Sequence, residues 1–208
     1  LPLIVADFSR RLNLSRVGYT FAIVTLGRIG VSALHQLNGI LFNKQAKRLD
    51  AAFAVPMPGN FPPVGKIASL EKQETILQAA EARLTEIAGL IDQGIAVPPR
   101  FSPVSALMKC ITYGSFSRNG HGMDTQFSVS DACTSCGTCA KVCPVGNITL
   151  VNKRPSWGHH CELCCACRHF CPVEAIQLGM LQGTKGRGRY RHPDLKVEDM
   201  KTQRGNEP

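Results

Sequence analysis

Ten cysteines are spread unevenly along the 208 residues, and eight of them keep a fixed rhythm. Cys133, Cys136, Cys139 and Cys143 are separated by two, two and three residues, and Pro144 follows. Cys161, Cys164, Cys167 and Cys171 repeat those gaps, and Pro172 follows. Thiolates are soft ligands suited to zinc or to iron–sulfur centres. A cube of four irons needs one thiolate per corner. Two residues between ligands let a tight loop place three sulfurs on three corners, and the fourth, three residues further on, points away. Zinc also accepts paired cysteines two residues apart. It does not explain a third cysteine at the same step or the proline that ends each run. Disulfides fit less well, because the spacing is regular and no secretory segment is visible.

The double run resembles the bacterial ferredoxins that hold two [4Fe–4S] clusters. In that family the fourth cysteine of each run serves the other cluster. The resemblance therefore implies one cluster on Cys133, Cys136, Cys139 and Cys171, and another on Cys161, Cys164, Cys167 and Cys143. Such a protein moves electrons one at a time. Proline has a fixed φ and no N–H, so Pro144 and Pro172 end a local turn. The copies agree beyond the ligands, because Val145 and Ile148 recur as Val173 and Ile176. These four are expected to wall the clusters from water. Thr134, Ser135, Gly137, Thr138 and Ala166 are small enough to let backbone N–H groups approach the sulfurs, which tunes potential. Cys165 reads as a spectator beside the cluster, and Cys110 as a buried small hydrophobe. His159 and His160 precede Cys161, but eight sulfurs already fill the ligand positions. Trp157 reads as packing or shielding.

Those ligand loops need a scaffold, and composition bounds it. Hydrophobic residues make up 44%, enough for a substantial core. The formal charge is +9. Eight ligand thiolates and two oxidised cube cores of about +2 each bring it nearer to +5. The basic residues are scattered, with no nucleic-acid-binding signature, so no nucleic-acid partner is expected. No apolar run reaches the ~18 residues of a membrane span. A reducing cytoplasm is the expected compartment. The chain begins at Leu1 rather than a methionine, which suggests a fragment or a processed start.

Ahead of the cysteines, strands alternate with helices. Leu3, Ile4, Phe8 and Leu12 predict a short amphipathic helix. Tyr19–Thr25 predicts a strand, followed by Gly27 and Gly30. Val31–Ala46 predicts a helix, Ala51–Met57 a second buried strand, and Ile67–Ile91 a long helix. That order implies a parallel α/β sheet, with ligands beyond the strand ends at Thr25–Gly30 and Pro58–Phe61.

Thr25-Leu26-Gly27-Arg28-Ile29-Gly30, then Pro56-Met57-Pro58-Gly59-Asn60-Phe61, then the double cysteine run, resemble the EFR-family ferredoxins, which fuse a flavodoxin-like domain to a bacterial ferredoxin. The resemblance runs from about Leu1 to about Pro193 and includes Arg189-Tyr190-Arg191-His192-Pro193. It implies an α/β flavodoxin-like partial domain with a parallel sheet, followed by an α+β 2[4Fe–4S] ferredoxin domain. The opening strand and phosphate loop of a flavodoxin are absent, so FMN is expected only in a full-length parent. Thr25 and Gly27 match the loop beside the flavin ring there. For Gly27 and Gly30 the alternative is a tight strand-to-helix turn.

The expected organisation is a flavodoxin-like half over 1–95, a linker with a short helix over 96–124, a cluster domain over 125–180, and a basic polar tail over 181–208. The linker reading rests on Pro98, Pro99 and Pro103, with the helix near Val104–Phe116. The tail carries Lys185, Arg187, Arg189 and Arg191 and reads as solvated, or as a docking segment for an acidic partner. No substrate constellation or dinucleotide fingerprint is present. The expected function is therefore an electron carrier rather than an enzyme, with redox proteins as donor and acceptor. The rivals are a flavin/iron–sulfur reductase subunit and a redox or iron sensor.

Overall fold

The computed structural model describes residues 1–27, 32–99 and 117–203. It divides into two units, Leu1–Pro58 with Ala68–Ser117, and Gly59–Ile67 with Arg118–Pro208.

The first unit contains α1 (Leu3–Arg11), β1 (Phe21–Leu26), α2 (Ser32–Gln45), β2 (Ala51–Pro56) and α3 (Leu70–Asp92). β1 and β2 pair in parallel, Phe21 opposite Ala51 and Leu26 opposite Pro56. Parallel neighbours need a crossover, and α2 supplies it. Ala51, Phe53 and Val55 point alternately inward from β2 and pack against Ala80 and Ile87 of α3. α3 starts cleanly because the Ser69 hydroxyl accepts the Lys72 N–H at 3.4 Å, which satisfies one of the helix's free donors. β1 is less buried than its composition suggests. Its residues alternate between exposed and half-buried, with Phe21 and Ile23 on the exposed side. Two parallel strands are present, but two strands do not establish a flavodoxin-like fold.

The second unit holds the cysteine runs. A 3-10 turn over His121–Gln126 leads into β3 (Phe127–Val129), then α4 (Thr138–Lys141), β4 (Ile148–Val151), β5 (Arg154–Trp157), α5 (Ala166–His169), β6 (Ile176–Leu178) and α6 (Val197–Thr202). β4 and β5 form a hairpin. Its tip, Asn152 and Lys153, has φ of 50° and 63°, as a two-residue primed turn requires. β3 pairs antiparallel with β6, Phe127 opposite Leu178. The strand before the first run is thus bonded to the strand after the second.

Three sequence-based boundaries shift. Gly59–Ile67, expected in the first domain, belongs to the second unit. There the Asn60 carbonyl meets the His169 ring at 2.7 Å and the Pro62 carbonyl accepts Arg187 Nη1 at 2.9 Å. Val97, placed in the linker, bridges in parallel to Ala51 of β2. The cluster unit starts at Arg118 rather than 125. The expected helix over Val104–Phe116, Pro103, Cys110 and the Arg28–Gly30 part of the glycine motif lie outside the described residues.

The tail differs most. Thr184 is 1% exposed. Its hydroxyl accepts the Leu178 N–H at 2.9 Å and donates to Gln177 Oε1 at 2.8 Å. α6 packs Val197 and Met200 on Val142, Ala166 and Phe170. Residues 181–203 are therefore tethered to the unit at Thr184, Val197 and Met200, while most of their other side chains remain exposed. Long-range carbonyl contacts and these few anchors hold a segment whose composition is polar.

Candidate metal centre

The two cysteine runs fold alike. Ser135 and Gly137 lie in the left-handed region, φ 60° and 73°, as do their counterparts Leu163 and Cys165, φ 52° and 59°. Gly146 and Glu174, also counterparts, share it at 64° and 53°. Such residues turn the chain tightly, so each run coils around a point instead of extending. α4 and α5 then begin at matching places.

The coiling produces two cavities. One is lined by Cys143, Cys161, Cys164 and Cys167, with Val145, Ile148 and the Phe127 and Trp157 rings. The other is lined by Cys133, Cys136, Cys139 and Cys171, with Val173, Ile176, Leu150 and Pro155. Each therefore gathers three cysteines from one run and the fourth from the other. Phe127 and Trp157 stack at 5.2 Å between ring centres, nearly parallel, and form an apolar wall. Among the described residues no three Cys, His, Asp or Glu side chains converge as the ligands of a single ion do. The sulfurs stand around a space that suits a multi-atom centre better than zinc.

Backbone donors are aimed at the sulfurs. The Asn147 N–H reaches Cys143 Sγ at 3.2 Å, and its counterpart, the Ala175 N–H, reaches Cys171 Sγ at 3.3 Å. The Leu163 N–H reaches Cys161 Sγ at 3.3 Å. Such bonds favour thiolate over thiol and stabilise a more negative centre.

Burial acts in the opposite direction when no cation is present. It pushes the Cys139 thiol up to about 11 and the Cys161 thiol up to about 12. Cys167 lies well above the ordinary thiol value for the same reason. Cys136, near the surface, is lowered by its hydrogen bond with the Thr138 hydroxyl. Ligands so protonated become thiolates when a cationic centre replaces their protons. The sign for the metal-free fold follows. Unfolded thiols ionise near 9, while the buried folded ones hold their protons beyond that. The unfolded state thus binds fewer protons between about pH 9 and 12, and folding stability falls as pH rises through that window. The urea midpoint of metal-free protein is expected to drop between pH 8 and pH 10, and iron loading to weaken that drop. An apo midpoint unchanged or higher at pH 10 contradicts this account.

Cys165 also lines the first cavity and is 2% exposed, so it stands beside the ligand set. The rings of His159 and His160 turn elsewhere, to Asp124 Oδ1 at 2.7 Å and to the Val145 carbonyl at 3.1 Å.

Two buried polar residues escaped the sequence reading. Asp124, 1% exposed, accepts Asn147 Nδ2–H at 2.8 Å and the His159 N–H at 3.0 Å. Asn147 Oδ1 accepts the N–H groups of Gly158 and His160 at 3.1 and 2.9 Å. Together they fix the loop that delivers Cys161. Asn147 had one visible signal, since it is polar where its counterpart is Ala175. Asp124 had none.

Thr25 and Gly27, the residues expected near a flavin, lie at the end of β1 and just beyond it in the first unit. That placement agrees with a strand-to-loop junction and carries no argument for a flavin.

Residues 129–149 match the 4Fe-4S binding domain family. That span contains the first cysteine run, so the match falls on the residues that line the cavities. It supports an iron–sulfur centre, a role in electron transfer and the existence of redox partners. No curated protein and no solved structure matches the chain. Among the described residues no helix is long and apolar enough to cross a membrane.

Proposed function

We propose that this chain is a one-electron carrier holding two [4Fe–4S] clusters. In this reading Cys133, Cys136, Cys139 and Cys171 hold one, and Cys161, Cys164, Cys167 and Cys143 the other. The observation that carries it is the pair of cavities, each lined by three spaced cysteines of one run and the last cysteine of the other, with Cys165 beside the first set. When bound, the clusters accept and donate single electrons, and the chain's own residues set their burial and hydrogen bonding. Val145, Ile148, Phe127 and Trp157 keep water from one, and Val173, Ile176 and Leu150 from the other. Cys136 and Cys164 are the two exposed ligand residues, one in each set, which places the surface nearest a docked partner at those two turns. A reducing compartment such as the cytoplasm suits free thiols of this kind. The fusion with a flavodoxin-like domain, as in EFR-family ferredoxins, is part of the proposal only at the level of an α/β unit preceding a cluster unit.

Anaerobic reconstitution followed by iron and sulfide analysis is the test. About eight of each per chain, and a dithionite-reduced EPR spectrum showing two interacting paramagnets, are expected. About four of each, or one metal ion with no sulfide, overturns the reading.

A further inference from the structure

The two halves of the cluster unit fold alike, but at one position the change in charge and size is especially large. Arg168, between Cys167 and Cys171, has Ala140 as its counterpart. Arg168 is 1% exposed, among the most deeply buried large side chains in the described residues. Its guanidinium donates to three carbonyls, those of Gly188 and Thr184 at 3.1 Å and Arg187 at 2.6 Å. Among the described residues its Nε has no hydrogen-bond partner. Carbonyl oxygens solvate a cation but do not cancel its charge. The nearest carboxylate influence, Glu174, already sits 3.4 Å from Arg189 Nε. Arg168 therefore keeps a net positive charge in the interior, within electrostatic reach of Cys165 and Cys167.

We propose that Arg168 is a positioning residue with an electrostatic role: a fixed interior cation that raises the reduction potential of the centre bound by Cys143, Cys161, Cys164 and Cys167, while its three hydrogen bonds hold Thr184–Gly188 in place. This rests on the two-cluster reading above. Reduction adds one electron, and so one negative charge, to a low-dielectric site. A nearby buried cation favours that product far more than a solvated one does. The carboxyl groups facing the same cysteines are Asp124 and Glu162, while Arg189 and Glu174 act on Arg168 itself. They set a fixed background against which removal of one positive charge has a definite sign. The matching position in the other half carries only a methyl group, and the cysteines Arg168 interacts with, Cys165 and Cys167, both line the first cavity, so the larger effect falls on that centre.

The experiment is an EPR-monitored potentiometric titration of the full, anaerobically reconstituted chain with dithionite, comparing wild type, R168Q and R168K. Iron and sulfide analysis of the wild type checks the two-cluster reading separately, before any variant is made. R168Q is expected to lower one of the two midpoint potentials, making reduction of that centre on the order of tenfold less favourable, about 59 mV for one electron. The other potential is expected to stay within a small fraction of that shift. R168K keeps the charge but lacks the planar fork. It is expected to hold the potential near wild type while trypsin cleaves after Lys185 and Arg187 faster. R168Q leaving both potentials in place, or moving both equally, overturns the proposal. So does R168K shifting the potential as far as R168Q, because the effect is then one of structure and not of charge. Should R168Q fail to load, R168K alone decides, with a wild-type potential supporting the proposal and a lowered one ending it.

Discussion

Replacing Cys143 with alanine is expected to cost the chain the centre associated with the second run and to spare the one associated with the first. Cys143 is close in sequence to Cys139, so a purely local view predicts damage to the first run's own site. In space it shares a cavity with Cys161, Cys164 and Cys167. Three thiolates leave one iron corner open, and such a centre is exposed to loss of iron. Iron is expected to fall from about eight to about four per chain or slightly below. The Asn147 N–H, 3.2 Å from Cys143 Sγ, also loses its acceptor. Among the described residues Cys165 is the one further cysteine lining the same cavity, so the double variant C143A/C165A belongs in the experiment. Retention in C143A with loss in the double variant identifies rescue by Cys165. Loss of the spectrum of the other centre instead, traced by comparison with Cys136→Ala, means that the crossed ligand sets are wrong.

Asp124→Ala is expected to produce the largest loss of stability among substitutions that leave every cysteine intact. The carboxylate is fully buried and serves the Asn147 amide, the His159 N–H and the His159 ring at once. Removing it strands the buried Asn147 amide and the part-buried His159 N–H. Each stranded group costs about 1–3 kcal/mol, and bonds to a charged acceptor lie at the upper end. A total of about 3 kcal/mol is a large share of the roughly 5–15 kcal/mol that holds an ordinary domain together. The local consequence matters as much. Asn147 also fixes the N–H groups of Gly158 and His160, so the loop before Cys161 loses its anchor. Chelator-driven release of iron is expected to become at least tenfold faster for one half of the iron and to change little for the other. Asp124→Asn keeps the shape but turns one N–H toward existing donors, so it is expected to fall between wild type and alanine. Unchanged denaturant midpoints and release rates in Asp124→Ala refute the anchoring role.

The cysteine rhythm was legible because ligand spacing is a local property of the chain. Two residues between sulfurs fix the loop that surrounds a cube, wherever the loop sits in a fold. The walls were legible for the same reason, since Val145 and Ile148 repeat as Val173 and Ile176, and each pair lines one cavity. The helix over Leu70–Asp92 showed in its apolar period, although Leu70 itself is 83% exposed. What stayed hidden is long-range and polar. Arg168 stands in a short basic stretch like many surface arginines, and nothing nearby announces that carbonyls sixteen or more residues away will surround it. Asp124 is separated from its main partners by 23 and 35 positions. The segment after Met180 was misread because composition describes an isolated chain. Its attachment comes from Arg168, His169 and Thr184, which bond the segment to the rest of the unit. Gly59–Ile67 was misassigned for the same reason, since its attachment runs through backbone carbonyls, which no residue type encodes.

The pairing of β3 with β6 constrains the order of events during synthesis. A nascent chain that has exposed the first cysteine run still lacks both the strand that closes the sheet and the fourth sulfur, Cys171, for its own cavity. Domains generally fold as units, so neither cavity is closed until Leu178 has emerged from the ribosome. Until then the thiols of the first run stand without their partners from the second.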